Sequence, residues 1–355
     1  MKRKLVLLVT CGVIATFCAT GQAQMSKVQV GYCARTISAV AAPYAVATKM
    51  GWFKEEGIEV SLVPLSGTAD CVKNIANKEI PFAVADVSAL AVARIQGLKA
   101  KTFYTAYQGN IFGIAVPIDS PIQKITDLKG KTIGLMVMGG PGLWVAKALV
   151  ATAGMDPERD VKFVVAGEGA QTAALLRSRQ VDALSQYDAQ YVMVENAGVK
   201  LRLLEAQEIE RYPSNGFMAL EETLTARRKD AVGLARAYAK GTIFTLNNPE
   251  AAVRIFDQVF PAAKAIGKDE ATAISDDTKV LRVRIPKWKL ETGGVKRWGE
   301  SSEANYASYV DFLLKWGVIK KKVEVKDLVT NQLIDEINKF DQSKIATEAK
   351  AYKPR

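Results

Sequence analysis

Between residues 27 and 206 short apolar runs alternate with stretches whose apolar positions recur at helical spacing. "KVQVGYC" (27–33) predicts a strand, "APYAVATKMGWFKEEG" (42–57) a helix closed by Gly57, and "IEVSLVPL" (58–65) a second strand. "ADCVKNIANKE", "IPFAVAD", "VSALAVARIQG" and "AKTFYTAY" continue as helix, strand, helix and strand up to Tyr107. Such alternation predicts a mostly parallel sheet with helices on its faces. "NIFGIAVP" (110–117) then leads out of this unit, and the alternation restarts. "ITDLKGKTIGLMV", "VKFVVAG", "VDALSQY" and "KLRLLEA" predict the strands of a second unit, with helices at 142–154, 170–180 and 189–198 between them. "NGFMAL" (215–220) is an apolar run placed to return the chain to the first unit.

The remainder predicts helices. Ala231, Leu234, Ala235, Tyr238 and Thr242 share one helical face, and Tyr306, Tyr309, Val310, Leu313 and Leu314 follow the spacing of an amphipathic helix. These stripes predict core packing. Residues 275–300 show no clear period and carry Pro286, Gly293 and Gly294, which predicts mostly loop. The polar stretch 341–355 predicts a flexible tail.

The N-terminus sets the compartment. Lys2, Arg3 and Lys4 precede an uncharged apolar segment, and Gly21 and Ala23 stand at −3 and −1 of a cut after residue 23, so residues 1–23 predict a secretory signal peptide. Removing its three cations takes the formal net charge from +11 to +8. The excess is scattered rather than gathered in a stripe, which argues against nucleic acid as a partner. The chain contains no histidine, which excludes a Ser-His-Asp triad, a His-activated cysteine and any imidazole-ligated metal. Two cysteines, Cys33 and Cys71, remain beyond the signal segment, too few for a four-cysteine zinc site. No cofactor or metal is expected.

Gly167-Glu168-Gly169, between a strand and a helix, has the look of a dinucleotide fingerprint. Thr172 stands where a third glycine would allow close helix packing, and the turn sits in the middle of the second unit rather than after its first strand. A nucleotide is not expected there.

The phrases "MGWFKEEGIEVSLVPL", "ANKEIPFAVADVSALAVARIQG", "DSPIQKITDLKGKTIGL", "RQVDALSQYDAQ" and "YPSNGFMALEE" occur in order. Together they resemble the substrate-binding proteins of ABC importers for nitrate, sulfonates and taurine, a group that merges with thiamine-pyrimidine-synthase-like domains. The resemblance runs from about Val28 to Leu220 and more loosely to about residue 260. It implies an α/β, two-lobed periplasmic binding protein of type II, with a helical C-terminal part. Lobe one would comprise 27–112 and the return at 216–340, and lobe two 113–215, with the two crossing segments as hinge. It implies a monomer in the periplasm that captures a small organic anion, a sulfonate or carboxylate, and delivers it to a permease in the inner membrane. A thiamine-precursor pyrimidine as ligand, or a sensor subunit, are the alternatives. The related pyrimidine synthases consume an active-site histidine and carry a cysteine-rich motif, and this chain has neither, so no enzyme is expected.

In open α/β sheets ligands bind beyond the C-terminal ends of strands. That rule nominates the strand-to-helix turns: Arg35 and Thr36, Ser66 and Thr68, Ser88, Gly139 and Gly140, Gln171, and Gln186, Tyr187 and Asp188. Arg35 is the sole cation among them, suited to a carboxylate or sulfonate or else to a structural partner. The hydroxyls of Ser66, Thr68 and Ser88 suit ligand contact or helix capping. The glycines suit close backbone approach or a tight turn. The N–H groups of residues 170–172 suit an anion. Cys33 and Cys71 follow strands expected to be neighbours, within the roughly 4.4 to 6.8 Å between Cα atoms that a disulfide requires, in an oxidising compartment. A disulfide is expected; two packed thiols are the alternative.

Overall fold

The structure, a computed structural model, describes residues 24–206, 209–264 and 267–353. The segment read as a signal peptide lies outside the described residues. Ten strands form two sheets: β1 (Ser26–Tyr32), β2 (Ile58–Pro64), β3 (Phe82–Asp86), β4 (Ala100–Thr105), β5 (Ala115–Pro117), β6 (Thr132–Leu135), β7 (Lys162–Val165), β8 (Ala183–Ser185), β9 (Leu201–Leu203) and β10 (Asn215–Leu220). The first sheet has the order β2-β1-β3-β10-β4 and the second β7-β6-β8-β5-β9. The two orders are equivalent. In each sheet the fourth strand is the one that has just arrived from the other lobe, and it is antiparallel to both neighbours. β1 runs parallel to β2 and β3, and β6 parallel to β7 and β8. Thus "NIFGIAVP" and "NGFMAL" are the crossing segments, and each supplies the reversed strand of the sheet it enters.

Local composition explains the layering. Every residue of β3, "FAVAD", is buried, as expected of a central strand covered on both faces. Beneath the cleft that separates the sheets, Tyr238 packs edge-on to Phe217 at 5.0 Å and tilted against Tyr44 at 4.8 Å, joining the crossing strand β10 to two helices.

Two parts of the C-terminal region differ from the reading of the sequence. Residues 275–300 are not mostly loop: Glu270–Trp288 is a 19-residue helix, started by Asp269, whose side chain accepts from the Thr272 N–H. Pro286 lies in its last turn, where losing one helical hydrogen bond is tolerable because the helix ends two residues later. Its buried face carries Ala273, Ile274, Val280, Leu281 and Trp288 but also Arg284, and that cation hides the apolar period. The polar tail is not frayed either. Gln342–Ala351 is a helix capped by Asp341, with Ile345 and Ala349 buried. Asn248 donates to the Ala349 carbonyl at 2.8 Å, and Tyr352 packs on Phe244 at 5.4 Å. Two apolar residues four apart are enough to dock a helix that is otherwise polar.

The Glu270–Trp288 helix also holds a destabilising carboxylate. One oxygen of Asp277 is buried with no hydrogen-bond partner among the described residues, as is one of Asp257. Burial, with the charges of Asp257 and Asp276, pushes the Asp277 carboxyl up to about 6. Because folding raises this pKa, the native state binds the proton more tightly than the unfolded chain; the contribution is full at low pH and is lost as pH rises through about 6. Asp277→Asn is therefore expected to stabilise the protein by about 1–2 kcal/mol at pH 7, solvent screening allowed for, and to change little near pH 4. Urea denaturation at the two pH values checks this, and an equal effect at both would contradict it.

Candidate functional site

The C-terminal ends of β1, β3 and β8 and the turns after β2 and β6 border a cleft between the sheets, the place where open α/β sheets bind their ligands. Its walls are largely aromatic and aliphatic: Tyr32, Tyr107, Phe112, Met136, Val137 and Tyr187. Phe112 belongs to the first crossing segment, Tyr107 stands just before it, and Asn215 of the second also lines the space. The crossing segments are therefore part of the wall.

Of the turn residues nominated from the sequence, Thr68, Gly140, Gln186 and Tyr187 line this cleft, and so does Cys33. Cys33 and Cys71 are disulfide-bonded, with their Cα atoms 5.9 Å apart. The other nominated residues are placed elsewhere. The Ser66 N–H donates to Asp70, which closes its own turn. Ser88 lies in the start of a helix capped by Asp86, to which it donates its N–H at 2.8 Å. Gly139 borders a different recess, beside Trp144. The carboxamide of Gln171 folds over Gly167, where a Cβ would come within 2.4 Å of its oxygen.

Arg35 and Thr36 line a separate outer groove and are exposed. The helix N-terminus at Gly169 is already occupied: its N–H donates to Gln190 Oε1 at 3.0 Å. That orphan donor is satisfied from within the lobe.

The cation of the cleft is Arg284, which the sequence reading missed. Its side chain is 2 % exposed. Nε donates to the two carboxylate oxygens of Asp188 at 3.1 and 3.0 Å, and Nη2 donates to Oδ1. The guanidinium lies 4.3 Å from the Tyr107 ring centre and 5.9 Å from that of Tyr187, a cation–π sandwich. Burial disfavours its charge, but Asp188 and Tyr107 outweigh that, and the group is held protonated above its ordinary range. Asp188 thus has a role different from direct ligand contact. It begins the Asp188–Asn196 helix and donates its N–H to the Ile111 carbonyl on the first crossing segment. The pair therefore joins the C-terminal helix to the second lobe beside the first crossing segment.

Two further features set the chemistry. Burial, then the neighbouring Tyr107, pushes the Tyr32 hydroxyl up to about 12, and burial likewise raises Tyr187, so these walls stay neutral at physiological pH. Gln186 is 1 % exposed. Its Nε2 donates to the Gly167 carbonyl at 3.0 Å, which fixes the carboxamide, and its Oε1 has no hydrogen-bond partner among the described residues. The cleft thus combines apolar aromatic walls, one compensated cation and one unsatisfied acceptor at its edge.

The model of the family described as NMT1/THI5 like matches residues 38–252, more than half of the chain. The protein belongs to the NMT1/THI5-like family. Among curated proteins the chain is similar to the riboflavin-binding protein RibY of Chloroflexus aurantiacus, 28% identical over 297 residues that cover 82% of each chain. It is also similar to a putative aliphatic sulfonates-binding protein of Bacillus subtilis, 21% identical over 345 residues, covering 94% of this chain and 96% of the other. Among solved structures, the alkanesulfonate-binding protein SsuA of Xanthomonas axonopodis pv. citri, bound to MOPS, has the same fold at TM-score 0.64 and 15% identity, covering 87% of this chain and 99% of its own. The two-lobed architecture is that of the periplasmic binding proteins, and, among the described residues, no helix is long and apolar enough to cross a membrane.

Proposed function

We propose that this member of the NMT1/THI5-like family is the extracytoplasmic solute-binding component of an ABC importer. Its lobes enclose a small organic molecule between Tyr32, Tyr107, Phe112 and Tyr187, and the loaded protein passes it to a permease in the inner membrane. The observation that carries this reading is the cleft itself, bordered by C-terminal strand ends of both sheets and walled by the hinge segments. The proposal is one of binding rather than catalysis, with a single chain as the working unit.

For the ligand, the primary reading is an organic anion, a sulfonate or carboxylate, whose apolar body lies on the aromatic walls. Arg284 replaces Arg35 as the anchoring cation, since it alone places a guanidinium among the residues that line the cleft. A second reading, a neutral planar heteroaromatic, is favoured by two observations. Asp188 already compensates Arg284, and the unpartnered Gln186 oxygen asks for a ligand N–H, which a sulfonate does not have. A relative named for riboflavin binding supports it as well.

A thermal-shift screen of the mature protein separates these readings. The panel is alkanesulfonates, aliphatic and aromatic carboxylates, nitrate, a thiamine-precursor pyrimidine and riboflavin. A true ligand at about 100 times its dissociation constant adds roughly 2.7 kcal/mol of stability. A shift with sulfonates or carboxylates alone supports the anion, and one with riboflavin or the pyrimidine alone supports the heteroaromatic. No shift with any of them overturns both ligand readings.

A further inference from the structure

The Gly167-Glu168-Gly169 turn binds no nucleotide in this reading, yet its geometry is specific. Gly167 and Gly169 both have positive φ, at 72° and 53°, a backbone that side chains disfavour. Glu168, held between them, stands at the N-cap of the Gly169–Arg177 helix but makes no capping hydrogen bond to it. Its carboxylate reaches to the other lobe instead. Thr36 Oγ1 donates to Oε2 at 2.6 Å, and the Arg35 N–H donates to Oε1 at 3.4 Å.

We propose that Glu168 is the latch of the cleft: its contact with Thr36 and Arg35 forms only when the lobes close, and it sets how long a solute stays inside.

Strand order carries the argument. The crossing strands β10 and β5 are fourth in their sheets, so the hinge lies toward the β4 and β9 ends. Thr36 follows β1, the second strand of its sheet, and Glu168 follows β7, the outermost strand at the opposite edge. A rotation about the hinge moves that far edge through the longest arc. The Arg284–Asp188 pair sits at the pivot, tied to Ile111 of the crossing segment, and persists on opening. The Glu168 contacts do not. Thr36 is exposed and Glu168 half-buried, so water replaces both bonds readily once the lobes separate. A charge-assisted bond in such a place shifts an equilibrium by about tenfold. The left-handed glycines serve this contact, since they aim the carboxylate away from its own helix.

The inference rests on the two-lobed binding reading but not on the identity of the solute. The main test therefore uses no ligand. Spin labels carried by non-natural residues at Lys73 and Lys162, both exposed and one on each lobe, leave the disulfide intact. Pulsed dipolar spectroscopy on the unliganded, full mature chain then gives the ratio of open to closed molecules. Glu168→Ala and Thr36→Val are each expected to raise that ratio about tenfold. The double variant should be no more open than either single one, and Glu168→Gln should retain part of the closure because it keeps the acceptor. Distance distributions for Glu168→Ala that match the parent protein overturn the latch, whatever the cleft binds. Where riboflavin or an alkanesulfonate is bound, Glu168→Ala should also release that probe about tenfold faster with an association rate changed much less. Equal release rates would likewise count against the latch. Thermal denaturation of each variant confirms that the lobes themselves remain folded.

Discussion

Arg284→Met is expected to destabilise the protein by about 3–5 kcal/mol, among the largest effects of any single substitution outside the apolar core. The cause is the carboxylate left behind. The Asp188 side chain is only 15 % exposed, and Arg284 supplies three of its hydrogen bonds. Remove the guanidinium, and a buried negative charge faces Tyr107 and Tyr187 with no counter-ion. Asp188→Asn in the same chain should recover much of the loss, because a neutral amide takes over the space without the charge. Arg284→Lys should fall between, since an ammonium lacks the planar fork that meets both oxygens at once. Chemical denaturation of the parent, these three variants and Asp188→Asn alone measures the losses and closes the double-mutant cycle. A loss below about 1 kcal/mol in Arg284→Met would show that Asp188 finds solvent or another partner, contrary to the geometry. The same variant is expected to lose solute affinity even where the solute is neutral, because the pair holds the pivot of the two lobes.

Replacing both Cys33 and Cys71 by alanine is expected to cost about 4 kcal/mol, the chain-entropy value for a loop of 38 residues. Alanine suits the test because Cys71 is fully buried and a hydroxyl there would be left unsatisfied. Reductant should lower the unfolding temperature of the parent protein and leave the double variant unchanged. Insensitivity of the parent to reductant would mean that the thiols are not bonded. The bond also ties the C-terminal end of β1, where Tyr32 and Cys33 line the cleft, to the helix after β2. Loss of it should therefore weaken solute binding as well as folding.

The architecture was legible because its signals are local. Each strand of the two sheets is a short apolar run between turn residues, and the crossing segments stand out as apolar runs that interrupt a regular alternation. The cleft was half legible. Turn logic nominated Thr68, Gly140, Gln186 and Tyr187, which lie in strand-to-helix turns and line the cleft. It chose Arg35 as the ligand cation, but that side chain is exposed and its backbone N–H serves the Glu168 contact. It could not find Arg284, which comes 96 residues after Asp188, on a helix outside the alternating region. A signal was nonetheless present. Val280, Leu281, Arg284 and Trp288 follow helical spacing, and a cation within an apolar stripe asks for a buried counter-charge. Phe112 was overlooked because the crossing segment was read as a connection rather than as a wall, and Tyr107 because it was read as the end of a strand.

The order of strands has a bearing on biogenesis. β10 separates β3 from β4 in the first sheet, yet it emerges about a hundred residues after them. The second sheet is built entirely from the intervening stretch and can complete itself first. Until then the first lobe presents two unpaired strand edges, the kind of surface that invites wrong pairing. By that time Cys33 and Cys71 have both emerged, and the loop closed by their bond holds only β2 and the short helices between β1 and β2. The disulfide can thus clamp the early part of the first lobe while it waits for its missing strand, because both cysteines are present before the sheet is complete.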